Sequence, residues 1–180
     1  MGSIRVAVVM AMVMMVHADI KPQKDFNLQR FGGKWYRVGL AYDSPGFLPY
    51  RALLTASMGI VTPLPNGNVN LTMWEQSPAG CLTKTYHYEA TSVPGQFSYF
   101  SLRHGIVKDI TVVDTNYTEY AIVLKNKVFN REYTQVALYG KSTVKYKAFA
   151  LSRHLPRDSI MTPPPRCPPS PLVPVRGSHD

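Results

Sequence analysis

Hydrophobic and polar residues alternate along most of the chain between residues 31 and 140, in short runs separated by turn residues. The clearest run is Phe31-Gly32-Gly33-Lys34-Trp35-Tyr36-Arg37-Val38-Gly39-Leu40-Ala41. Trp35, Arg37, Gly39 and Ala41 fall in one phase, and Tyr36, Val38 and Leu40 in the other. Such alternation predicts a half-buried strand running to about Tyr42. Gly33, two residues before the indole, lets the backbone approach another element closely. Ahead of it, Asp25 to Arg30 predicts one turn of helix with Asp25 as its N-cap. Further strands are predicted over Leu53 to Pro63, Val69 to Glu75, Cys81 to Thr91 and Gln96 to Leu102. The set is completed by Val107 to Thr115, Tyr120 to Lys125 and Arg131 to Tyr139. Pro65-Asn66-Gly67-Asn68 carries the Asn-Gly hairpin signal, and Pro94-Gly95 marks another turn. Eight short strands with turns between them suit a sandwich or a closed up-and-down barrel, one end of whose interior Trp35 would cap.

The flanks break this pattern. Arg5, the apolar run Val6 to Val16 and the small-residue pattern Val16-His17-Ala18 predict a signal peptide over residues 1–18. That run is too short to span a bilayer, so no stable membrane insertion is expected. Asp43 to Tyr50 is too rich in Pro and Gly for a strand and too apolar for a plain solvated loop. Val144 to Leu155 places Tyr146, Phe149 and Ala150 on one helical face before Pro156, which predicts a short C-terminal helix. From Thr162 onward the prolines predict an extended tail, disordered over residues 168–180.

A length of 180 residues suits one domain, here residues 19–167, with enough chain to bury a core. The formal charge of +9 raises nucleic acid as a partner. The Lys and Arg residues are nevertheless scattered, with no recognisable nucleic-acid motif, so a basic secreted surface favouring acidic ligands is the expectation. Two cysteines, Cys81 and Cys167, behind a signal peptide predict a disulfide. Closing so long a loop is worth about 4–5 kcal/mol in the chain-entropy account.

Three ordered motifs resemble the lipocalin family. Gly33-Lys34-Trp35-Tyr36 is similar to its Gly-x-Trp motif. Val112 to Tyr117, with Thr115, Asn116 and Tyr117, is similar to its Thr-Asp-Tyr turn. Leu138 to Ser142 is similar to its final-strand Arg-Thr motif, with Lys141 where the family has Arg. Within the family the resemblance is nearest to the branch holding the prostaglandin D synthases and the neutrophil and epididymal lipocalins. It covers roughly Asp25 to Cys167 and implies an all-β, eight-stranded antiparallel barrel with a short C-terminal helix. It agrees with a Cys81–Cys167 bridge, since lipocalins commonly tie a mid-barrel strand to the C-terminal segment. It further implies that a cation at Lys141 lies over Trp35, by cation–π attraction and without the planar stacking of Arg.

An eight-stranded barrel can hold one small ligand. Asn70-Leu71-Thr72 is a glycosylation sequon, and a glycan at Asn70 must point outward, which turns Val69, Leu71 and Met73 inward. Asn116-Tyr117-Thr118 is a second and weaker sequon. By resemblance the inward sets are Thr55, Ser57 and Gly59; Lys84, Tyr86 and Tyr88; and Gln135, Ala137 and Tyr139. Phe47, in the large first loop, would help to cover the mouth. The expected pocket is apolar and aromatic with several hydroxyls and one lysine, Lys84, able to meet a ligand carboxylate.

The expected function is secretion as a monomer and carriage of a fatty acid, retinoid, steroid or prostanoid. The enzymatic alternative is prostaglandin isomerisation, which in the family needs a cavity cysteine; Ser57 stands in its place. A serine hydroxyl is a poor nucleophile without a base, and no His follows nearby on that strand. A further alternative is a module whose closed end or tail binds a cell-surface receptor while side chains fill the cavity. No cofactor is expected. His17, His87, His104, His154 and His179 lack metal-ligand spacing, so no metal is expected either.

Overall fold

The computed structural model describes residues 21–42, 47, 49, 56–77, 80–128 and 132–141. The expected signal peptide, C-terminal helix and tail, with Cys167, Thr55 and most of the first loop, lie outside the described residues.

The alternating runs form strands β1 (Gly33–Tyr42), β2 (Ser57–Pro63), β3 (Val69–Ser77), β4 (Gly80–Ala90), β5 (Gln96–Ser101), β6 (Ile106–Thr115), β7 (Tyr120–Val128) and β8 (Glu132–Gly140). Each pairs antiparallel with its neighbour, and β8 returns to β1 to close the barrel. Closure leaves no free edge strand and creates one interior face. The Asn-Gly hairpin forms as its residues dictate. Gly67 takes φ 86°, a conformation costly for other residues, and the Asn68 amide donates to the Asn66 side chain at 3.1 Å.

A single-turn helix, α1 (Leu28–Phe31), precedes β1. Its cap is Asn27, whose side-chain oxygen accepts the Arg30 amide at 2.9 Å, so the expected Asp25 cap is corrected. Asp25 instead sits at φ 51°, where an N-cap would need extended backbone.

The phase of β1 is corrected too. The β1–β8 register shifts between Arg37 and Gly39, leaving Val38 as a bulged extra residue. Trp35 and Arg37 face the interior, but beyond the bulge Leu40 and Tyr42 do so, paired with Ala137 and Gln135. Gly39 and Ala41 therefore leave the Trp35 face. The core lies in the lower half of the barrel, around Trp35, Val69, Leu71, Phe97, Ile110, Val112 and Val123. Gly59 is opposite both Trp35 and Met73, and a Cβ there would overlap the Met73 sulfur. Glycine makes room for two large side chains at that level.

Candidate functional site

The end of the barrel beneath α1 is sealed by aromatic rings. Phe26 lies 5.3 Å from Phe31, and Phe31 lies 5.2 Å from Trp35, centroid to centroid. The Trp35 indole N–H donates to the Phe31 carbonyl at 2.8 Å, and Lys141 Nζ sits 3.9 Å from the Trp35 ring centre. Burial lowers the Lys141 pKa. The turn after β6 completes the seal. The Asn116 side-chain oxygen accepts the amides of Thr118, Glu119 and Tyr120, a task an aspartate would perform equally well. Thr115 Oγ1 donates to the Tyr120 carbonyl at 2.7 Å, and Tyr117 accepts the Asn27 amide while Arg30 lies over its ring. Gly33, at φ 97°, brings the start of β1 under the Lys141 side chain.

Above this seal the interior divides into two chambers. The lower is walled by Trp35, Val61, Val69, Phe97, Val112 and Val123 and is almost wholly apolar. Its volume is about 40 Å³, against about 130 Å³ for the upper chamber. Leu71, Tyr88, Ile110, Lys125 and Tyr139 border both. The upper chamber is polar. Arg37, Lys108 and Lys125 enter it from β1, β6 and β7, with Tyr86, Tyr99, Met73 and Gln135 around them.

Three tyrosines form a cluster there: Tyr99 meets Tyr86 at 5.5 Å and Tyr88 at 5.7 Å, both edge-on. Lys125 Nζ donates to the Tyr88 hydroxyl at 3.1 Å and lies 5.9 Å from the Tyr86 ring centre. Burial and the nearby Glu75 carboxylate push the Tyr86 pKa up to about 12, and burial raises Tyr88 further, so both phenols stay neutral donors. Burial lowers the Lys108 pKa, and Lys127 and Lys125 lower it further by repulsion.

Glu75 is the acid that faces these cations. Its carboxylate takes Arg37 Nη2 at 2.9 Å and Lys84 Nζ at 3.1 Å. Burial alone would raise its pKa, but Arg37 and Lys84 outweigh that and hold it below the ordinary carboxylate value. With Glu75 shared between those two, no carboxylate among the described residues of this chamber's lining is left for Lys108 and Lys125.

Leu71, Met73, Tyr86, Tyr88 and Tyr139 thus line the chambers. Lys84 does not; it sits at the lip, half exposed, held by Glu75. Ser57 is buried on the interior face beside Arg37, and its hydroxyl has no hydrogen-bond partner among the described residues. Phe47 packs edge-on against Tyr42 at 5.7 Å. Asn70 lies on the outer face, its side-chain oxygen 2.8 Å from His87 Nδ1. Cys81, the second residue of β4, falls on the outer phase. The expectation of a single lysine is corrected: Lys108 and Lys125 line the pocket, with Arg37. The inward phase of the β7 run, Ala121-Val123-Lys125-Lys127, carried the signal for Lys125.

The lipocalin / cytosolic fatty-acid binding protein family model matches residues 32–166. A lipocalin of Rhinella marina is 31% identical over 166 residues, covering 88% of this chain and 91% of that protein. The prostaglandin-H2 D-isomerase of Canis lupus familiaris is 28% identical over 170 residues, covering 89% of each. Among solved structures, the siderocalin Ex-FABP aligns with a TM-score of 0.60 at 24% identity, over 77% of this chain and 97% of that one. Lipocalin 12 from rat epididymis aligns with a TM-score of 0.63 at 23% identity, over 79% and 87%. At those identities the two structures speak for the fold alone. The chain belongs to the lipocalin / cytosolic fatty-acid binding protein family, whose members generally bind small hydrophobic ligands.

Proposed function

We propose that the protein is a secreted carrier of an amphipathic acid, held with the end of its chain in the lower chamber and its acidic head in the upper. The observation that carries this reading is the stacking of a narrow apolar chamber beneath one holding Arg37, Lys108 and Lys125. Burying an alkyl chain contributes about 0.8 kcal/mol per CH₂. An anion near Lys108 and Lys125 relieves their mutual repulsion and gains charge-assisted hydrogen bonds from Lys125 and the tyrosine hydroxyls. A space of about 40 Å³ takes only the end of such a chain. A slender flexible chain, as in a fatty acid or prostanoid, enters it with less displacement of the wall than the rigid ring system of a steroid. In this reading residues 1–18 are the signal peptide, Cys81 pairs with Cys167, Asn70 and Asn116 are the glycan acceptors, and the carrier is a monomer.

The isomerase reading has little support. Ser57 stands where the catalytic cysteine would, and among the described residues its hydroxyl meets no base that could activate it. Among the described residues no thiol lines the chambers.

Titration of the delipidated protein with a C18 fatty acid, retinoic acid and a steroid, followed by tryptophan quenching, tests the carrier reading. Trp35 walls the lower chamber and should report occupancy. Saturable quenching by the fatty acid, with a weaker response to the steroid, is expected. Quenching by none of the three would sink the reading and leave a receptor-binding module with a filled interior.

A further inference from the structure

The outside of the barrel is not uniform. Among the described residues six large apolar side chains are exposed: Leu82, Val93, Phe100, Leu102, Val107 and Val128. Five lie at the end where the upper chamber opens; only Val93, in the β4–β5 turn, lies at the sealed end. Phe100 and Val107 are direct partners across β5 and β6, and the Lys108–Lys127 register sets Val128 beside Val107. The three make a row on the outer face of three successive strands. Leu102, in the β5–β6 turn, projects above that row and is 87% exposed. Leu82 stands on the lip of β4, across from it.

β4 and β5 are hydrogen-bonded only at Glu89–Ser98 and Ala90–Phe97. Toward the open end the two strands part, with Tyr86 and Tyr99 in edge-on contact between them. Leu82 and the Phe100–Leu102 segment lie to either side of this unpaired stretch. Cations surround it: Arg103 follows Leu102 in the turn, Lys84 is half exposed at the lip, and Lys108 and Lys127 lie on β6 and β7 at the same level. Among the described residues Asp109, Glu132 and Glu75 are the acids nearby, and Glu75 is held by Arg37 and Lys84.

Apolar side chains projecting from a rim of cations fit a negatively charged bilayer surface. The apolar tips enter the boundary between headgroups and acyl chains, and the Lys and Arg stems lie along it with their charges at the phosphates. We propose that the open end docks peripherally on anionic lipid membranes, with the β5–β6 turn inserted and Leu102 at its tip. The mouth then faces the membrane, and an amphiphile passes between bilayer and barrel without crossing water. Docking is a property of the empty protein and stands apart from the identity of the ligand.

The test is sedimentation of the full, ligand-free chain with vesicles of phosphatidylcholine alone and with about 30% phosphatidylserine, at low and raised salt. Binding to the anionic vesicles is expected, weakened by salt. The double variant Phe100→Ser, Leu102→Ser should lower the partition coefficient at least about tenfold, since both side chains are solvent-exposed and their loss leaves the core intact. Arg103→Glu should remove much of the salt-sensitive part, and Val93→Ser at the sealed end should change nothing. Equal partition of the double variant and the parent would overturn the proposal. So would failure to bind anionic vesicles, and the patch would then belong to a protein partner. Neither result bears on ligand titration of the cavity, so the two readings fail separately.

Discussion

The two ends of this barrel are built on opposite principles. At the sealed end polar groups are locally satisfied: the indole N–H has a carbonyl, Asn116 takes three amides, and Lys141 has the face of Trp35. Among the described residues of the open end cations outnumber the acids, Arg37 Nε and Ser57 Oγ are buried without partners, and apolar side chains stand in solvent. A sequence under selection for stability alone would have removed such conflicts. The sealed end carries the fold, and the open end spends stability on something that must bind.

Substitutions should therefore sort by end. The largest effect belongs to Trp35→Ala, which removes a side chain 1% exposed at the centre of the aromatic seal. A loss of about 3–5 kcal/mol is expected, read as a lowered urea midpoint; a change under about 1 kcal/mol would mean the seal is not what holds the barrel closed. Asn116→Ala should cost about 1–2 kcal/mol by orphaning the turn amides, whereas Asn116→Asp keeps those amides and should cost less, losing only the Nδ2 bond to Glu119. If the aspartate variant were as damaged as the alanine variant, the capping account of that turn would be wrong.

Glu75 sharpens the contrast by pH. Its pKa is lowered in the folded state, so its contribution is complete above the unfolded carboxylate value and fades as pH falls through the folded one. Between pH 5 and about 2 the parent should lose stability more steeply than Glu75→Gln. Parallel acid limbs for the two proteins would show that the Arg37–Glu75–Lys84 bridge is too solvated to matter.

Much of the barrel was legible in the chain. Val69, Leu71 and Met73 alternate cleanly, Asn66-Gly67 has the chemistry of a tight turn, and β3 follows. Two features were not. The bulge at Val38 inverts the phase of half of β1, and no residue there announces it, because bulges arise from how two strands meet. Asp25 and Asn27 are both capable caps, and only the backbone decides between them. The site suffered for the same reason. Lys84 lies in the inward phase as expected, but Glu75 captures it from the neighbouring strand. Arg37 and Lys108 acquire their role through cross-strand and cross-barrel neighbours that periodicity does not encode.

The most direct test of the account is calorimetric titration of a C18 fatty acid and the matching C18 alcohol into the parent and into Lys125→Met. The acid should bind the parent about tenfold or more tightly than the alcohol, from charge-assisted contacts in the upper chamber. Lys125→Met should narrow that gap while leaving alcohol affinity nearly unchanged. Equal affinities of acid and alcohol for the parent would contradict the claim that this end of the barrel is built for an anionic head.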